Sequence, residues 1–310
     1  MKKWILILLA LIVLSIAFIF LYIPSTITIA GFKTVNCPSA SVARLLEDKS
    51  NIKKWWPGTI INDSEAVFQN ITYTIVKANS LGITIKTSYK NVKLTGEINP
   101  ILLKKDTCAV EWQYQPFTSG NNIINRLEDY NTARTLKNQL NLILEAVKLF
   151  AEHIPNIYGI DIVQTKVKDS SLISTKESFN HYPTNKEIAD LISTLKKYII
   201  ENNGLEKDFP MLNIRLNEEN KYEAMIAIPL LKDIPVNENF IIKKMILGNI
   251  LEAKVTGGPA TIEKGEITMK NFAKDYGKVS PAIPFQLLVT DRNKEQDTSK
   301  WITYLKYPVF

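Results

Sequence analysis

The sequence predicts an α+β protein in three parts: an N-terminal transmembrane helix, a curved antiparallel sheet wrapped around one long helix, and a duplicated β-α-β-β domain with pseudo-twofold symmetry. Three observations carry this. Trp4 to Ile23 is an unbroken apolar run entered through Lys2 and Lys3. From Thr26 to Gln115 apolar residues mostly alternate with polar ones, after which the spacing changes to threes and fours. Beyond Pro155 one pattern of elements is written twice. The parts are placed at residues 1–24, 25–154 and 157–310.

The first run has the length, about 20 residues, that an α-helix needs to cross a hydrocarbon core of about 30 Å. Bulky Phe18, Phe20 and Tyr22 stand where a cleaved leader carries small residues, so an uncleaved anchor is expected. Lys2 and Lys3 precede it and the next cation is Lys33, which leaves the N-terminus in the cytoplasm and residues 25–310 outside, in the periplasm if the cell is Gram-negative.

Val110, Trp112 and Tyr114 alternate with Glu111, Gln113 and Gln115, as a strand with one buried face does. Leu81, Ile83 and Ile85 follow the same rule, as do Val92, Leu94 and Gly96. A short helix near Ser39–Leu46 and a Trp55-Trp56-Pro57-Gly58 turn come early. A long helix, about Asn122 to Glu152, presents Ala133, Leu136, Leu140, Ile143, Val147 and Phe150 on one face. Pro155 and Gly159 then mark a domain boundary.

The first repeat holds a strand near Ser171–Ser178, a helix over Lys186–Asn202, and strands beginning at Pro210 and at Tyr222. Thr184 and Glu187 have capping-box spacing. The second repeat holds a strand near Gly248–Thr256, a helix over about Thr261–Tyr276, and strands beginning at Pro284 and at Trp301. Neither copy has the apolar surface to stand alone, so the two should pack as one domain with a cleft where they meet.

Net charge is +7, without a block of like charges or a nucleic-acid motif, which argues against a nucleic-acid partner and leaves weak attraction to anionic headgroups. The only histidines, His153 and His181, sit in no recognisable nucleophile motif, and neither a metal nor a cofactor is expected. Cys37 and Cys108 are expected as buried thiols, with a disulfide as the alternative outside the cytoplasm.

The entry segment Pro24–Pro57, with its Cys-Pro-Ser-Ala-Ser-Val-Ala-Arg-Leu-Leu helix and Lys-Trp-Trp-Pro turn, resembles the helix-grip domains of the START, polyketide-cyclase and Bet v 1 superfamily (SRPBCC). A sheet curved around a single helix leaves an apolar cavity, for which Trp55, Trp56, Trp112 and Tyr114 are the lining candidates. Residues 157–310 resemble the GyrI-like domain, the effector-binding domain behind AraC-type and MerR-type DNA-binding heads. The resemblance rests on the duplication, the Gly257-Gly258-Pro259 turn and the closing Thr303-Tyr-Leu-Lys-Tyr-Pro-Val. It implies a small-molecule site between the halves, often for aromatic or amphipathic cations.

The family's penultimate strand runs approximately Pro-Trp-Glu-Val-Tyr-Leu-Thr-Asp. Here Pro284-Phe-Gln-Leu-Leu-Val-Thr-Asp puts Gln286 and Leu288 where the resemblance implies a pocket glutamate and tyrosine. An amide and an isobutyl group support neither cation pairing nor acid/base work. The expected ligand is therefore a neutral or weakly polar hydrophobic, lipid-like molecule, and no residue is assigned to catalysis. Tyr222, Glu223, Trp301 and Tyr304 complete the candidate binding set, with Glu223 able to supply a replacement charge. The expected function is membrane-anchored small-molecule binding; a cyclase- or hydrolase-like enzyme and an envelope interaction module are the alternatives.

Overall fold

Alternating and three-four hydrophobic patterns become sheets and helices in a computed structural model that describes residues 2–90, 92–168 and 170–310. The protein is α+β, and it divides into two compact units, one ending at His153 and one spanning Ile154–Phe310.

The N-terminal run is helix α1 (Lys2–Tyr22). Among the described residues no helix is long and apolar enough to cross a membrane. The side chains of Lys2, Lys3, Ile5 and Leu6, and with them the cations of the topology argument, lie outside the described set. The described part of α1 exposes apolar side chains on every side, with Leu9, Leu11, Val13, Leu14 and Phe18 all exposed.

The rest of the first unit runs β1 (Thr26–Ile27), β2 (Ala30–Val35), α2 (Ser39–Glu47), α3 (Ile52–Trp55), β3 (Thr59–Asn62), β4 (Glu65–Phe68), β5 (Ile71–Asn79), β6 (Gly82–Tyr89), β7 (Val92–Lys104), β8 (Thr107–Tyr114), β9 (Phe117–Thr118) and α4 (Ile123–Ala151). Seven strands form an antiparallel sheet in the order β2-β8-β7-β6-β5-β4-β3, and β1 pairs with β9. Strand β8 buries Val110, Trp112 and Tyr114 on one face, as its alternation requires. Leu81 departs from the expected strand: it lies in the turn between β5 and β6 and is exposed. The Asn122 side chain caps α4 by accepting from the Asn125 N–H at 2.8 Å. The helix buries Leu136, Leu140, Ile143 and Val147. Gly31 on β2 lets it come close, since a Cβ there would stand 2.6 Å from Leu140 Cδ2. Cys37 and Cys108 are both buried thiols, and desolvation pushes the Cys108 thiol up to about 11.

The second unit begins with a short helix, α5 (Ile154–Tyr158), where the sequence suggested only punctuation. Then come β10 (Val163–Lys166), β11 (Ser171–Phe179), α6 (Asn185–Glu201), β12 (Met211–Leu216), β13 (Tyr222–Leu230), β14 (Ile241–Lys244), β15 (Asn249–Thr256), α7 (Pro259–Asp275), β16 (Phe285–Leu288) and β17 (Ile302–Val309). Thr184 and Glu187 form the full capping box on α6. The eight-stranded sheet is ordered β10-β15-β17-β16-β12-β13-β11-β14, with β12 and β16 meeting at its centre. Strand β10 precedes β11 in the chain but pairs with β15, and β14 precedes β15 but pairs with β11. The copies therefore exchange their leading strands.

Helix α6 packs over Ile173, Leu212, Ile226, Ile228 and Leu288. Helix α7 packs over Leu251, Ala253, Val255, Trp301 and Leu305. Leu212 pairs with Gln286 and Gln286 with Leu305, so these core residues share one sheet face and both helices cover it.

Candidate functional site

The centre of that helix-covered face is where the copies join, and a polar chain runs through it. Gln286 on β16 is buried, and its Nε2 donates to Glu266 Oε1 on α7 at 2.9 Å. The Gln286 Oε1 accepts from Arg292 Nη2 at a long 3.4 Å, and the same nitrogen donates to the Oγ1 of fully buried Thr303 at 3.1 Å. The Arg292 guanidinium lies 4.8 Å from the centre of the Trp301 ring, a cation–π distance. The Trp301 indole is fixed in turn by donating to the Glu295 carbonyl at 2.9 Å.

Two cavities flank the Gln286–Arg292 contact. One, of about 360 Å³, is lined by Ile188 and Ile192 of α6, by Leu288 and by Arg292. The other, of about 280 Å³, is lined by Glu266 and Met269 of α7, by Gln286 and by Tyr182. Tyr182 packs edge-on against Tyr222, ring centres 5.4 Å apart. Glu266 is exposed as a residue, yet its carboxyl meets the buried amide. Desolvation raises its pKa, the neighbouring Glu263 charge adds to that, and the Gln286 hydrogen bond opposes it. Desolvation lowers the Arg292 pKa, although a guanidinium stays protonated.

The sequence-derived candidates separate into three places. Gln286, Leu288, Tyr222 and Trp301 belong to the helix-covered face. Glu223 and Tyr304 do not, because strand alternation turns each away from its neighbours Tyr222 and Thr303. Glu223 is paired instead with Arg215 at 2.7 Å and Lys176 at 2.9 Å. The Lys176 bond first and the Arg215 bond next hold its carboxyl below the usual range. Its charge is compensated on that other face, and the carboxyl that meets Gln286 is Glu266 of α7. Gln286 does not offer a free amide, since both its ends are engaged within the protein.

Trp55, Trp56, Trp112 and Tyr114 lie in the first unit, all buried. Through Tyr73 they form a continuous aromatic row, with successive ring centres 5.8, 5.0, 6.0 and 5.4 Å apart. The Tyr114 hydroxyl bonds Thr87 at 2.8 Å, whereas Trp55 Nε1, Trp112 Nε1 and Tyr73 OH have no partner among the described residues. Among the described residues no cluster of three metal-ligating side chains occurs.

Sequence reasoning missed Glu266, Arg292, Thr303 and Tyr182. One signal was present, because the copies align. Helices α6 and α7 are each 17 residues long, and N-caps Thr184 and Gly258 correspond. Asn203 and Gly277, both at positive φ, follow them at equal spacing. Pro210 then falls on Pro284, and Pro229 on Pro308. Matched so, Ile192, Leu212 and Ala224 in the first copy correspond to Glu266, Gln286 and Thr303 in the second.

No family model matches the chain, and no curated protein does. Solved structures match about half of the chain. The C-terminal domain of EcmrR is 12% identical with TM-score 0.43, covering 49% of this chain and 98% of its own. A hydrolase from Listeria innocua is 10% identical with TM-score 0.37, covering 48% and 92%. A structure bound to tetraphenylphosphonium is 16% identical with TM-score 0.31, covering 48% and 94%. With identities and scores this low, the reading of the site rests on the chain's own geometry.

Proposed function

We propose that this chain is a membrane-anchored binding protein for a hydrophobic small molecule, with a GyrI-like second unit, a helix-grip first unit, and its ligand held on the helix-covered face of the second unit. The observation that carries the reading is the polar chain Glu266–Gln286–Arg292–Thr303 set among apolar walls. A pocket built for orientation and specificity has this composition, and a purely structural core gains nothing from desolvating two charged groups. The first copy supports the contrast, since its corresponding positions are apolar. The anchor reading draws on the apolar run Trp4–Ile23 of the sequence, in which Leu9, Leu11, Val13, Leu14 and Phe18 are exposed and need an apolar surrounding. Native mass spectrometry of the detergent-extracted chain is expected to show a co-purifying molecule of a few hundred daltons; a clean apo mass at every detergent concentration, with no uptake from a lipid extract, contradicts the reading. Protease added to spheroplasts is expected to digest residues 25–310, and protection until lysis reverses the topology.

One observation favours a catalytic reading: the raised Glu266 carboxyl lies beside Tyr182, whose own pKa is raised by desolvation and by Glu266. Ester hydrolysis abolished by Glu266→Gln supports that reading; turnover indifferent to it removes its basis.

A further inference from the structure

The charges around the cleft are not equally compensated. In the 360 Å³ cavity Lys196 is paired with Glu206 at 3.1 Å and Asp291 with Lys294 at 3.6 Å. Arg292 is different. Its recorded partners are the neutral oxygens of Thr303 and Gln286, both reached from Nη2, and the face of Trp301. Among the described residues no carboxylate lies within ion-pair distance of it. The guanidinium also donates from Nε and Nη1, and no described residue accepts from either. Glu266, the nearest acid in the chain of bonds, is separated from it by the whole Gln286 amide.

A partly buried cation without a counter-ion is costly to keep, and this one is positioned by the Trp301 ring at cation–π distance and by two acceptors on one nitrogen. Such an arrangement leaves the remaining edge of the fork preorganised for a planar anion. The apolar wall of Ile188, Ile192 and Leu288 lies in the same cavity. We infer that this cleft selects ligands carrying one anionic group, a carboxylate on an aromatic or alkyl body, and that Arg292 is its receptor. The inference rests on the small-molecule reading above and sharpens it. It also departs from the neutral ligand expected from Gln286, because the charge that matters comes from a loop residue outside the strand pattern.

The test uses the full chain in nanodiscs of uncharged lipid, titrated calorimetrically with three matched probes: 4-phenylbutyrate, 4-phenylbutanol and 4-phenylbutyltrimethylammonium. The carboxylate is expected to bind tightest, by on the order of tenfold or more over the alcohol, the scale of a hydrogen bond to a charged group. Arg292→Gln should collapse that ratio to near unity while alcohol binding persists. If that variant does not fold, Arg292→Lys keeps the charge but loses the planar fork, and should retain the order of the probes at a reduced ratio. Alcohol or ammonium binding as tightly as carboxylate in the wild type overturns the inference and leaves the binding reading standing. So does a carboxylate preference that survives Arg292→Gln. Failure of all three probes to bind removes the binding reading, and the inference with it.

Discussion

In the first copy of the repeat, Ile192, Leu212 and Ala224 stand where the second copy has Glu266, Gln286 and Thr303. The backbone treats the copies alike: same helix length, same left-handed residue after each helix, and leading strands exchanged in both directions. The side chains do not. One copy lines its half of the cleft with apolar side chains, and the other lines its half with a carboxyl, an amide and a hydroxyl around an arginine held against Trp301. The scaffold is symmetric and the chemistry is not, which separates what the duplication needs in order to fold from what the second copy adds.

Rewriting the second copy as the first should break the molecule in graded steps. Gly265 corresponds to Leu191, and it lets α7 lie close to the sheet: a Cβ there would stand 2.7 Å from Leu305 Cδ1 and 3.0 Å from Val255 Cγ2. Gly265→Leu should therefore cost the most, toward or beyond the upper end of the roughly 1–3 kcal/mol typical of overpacking. Denaturant unfolding followed by circular dichroism measures it, and a neutral result would show that α7 is loosely seated.

Gln286→Leu is milder in volume but strips Glu266 and Arg292 of their shared partner, at a cost of about 1–2 kcal/mol. Adding Glu266→Ile should recover part of that loss, because the stranded carboxyl goes too. A double-mutant cycle reads the coupling directly; strict additivity would mean that the Glu266–Gln286 bond carries no energy.

The smallest effects are in pH, and they have opposite signs on the two faces of the sheet. Glu223 has a lowered folded pKa, so its contribution is present above the unfolded carboxyl value and is lost as pH falls through the folded one. Its partners are more than half exposed, so Glu223→Gln should cost only about 0.5–1 kcal/mol at neutral pH. Glu266 has a raised folded pKa, so it costs stability once ionised. Glu266→Gln should therefore stabilise above the folded pKa, and that gain should fade as pH falls toward the unfolded value. Two stability curves with the same slope would contradict the assignment.

The elements with strong local patterns were legible in the sequence. Thr184 and Glu187 announced the start of α6, and the alternation through Trp112 and Tyr114 announced β8. Strands β10 and β14 were not, because Val163-Gln-Thr-Lys and Ile241-Ile-Lys-Lys are short edge segments with three or more exposed positions each. Their exchange between copies depends on pairing across long stretches of chain, which no local period records. Gln286 and Leu288 share one sheet face because alternation is local, and the same rule puts Glu223 and Tyr304 on the other face. Glu266 was hidden among the charged residues of an amphipathic helix. Arg292, in a loop, obeys no period at all; only its contacts with Trp301 and Thr303 disclose it.

Binding at the asymmetric cleft on the helix-covered face of the second unit can be located directly within the chain. Methyl-resolved NMR of the full chain in nanodiscs, titrated with 4-phenylbutanol, shows where the bound molecule sits. Saturable shifts are expected at the methyls of Ile192 and Leu288, with those of Ile85 and Ile98 in the first unit unmoved. Saturable shifts confined to the first unit, or none at either place, would contradict binding at that cleft.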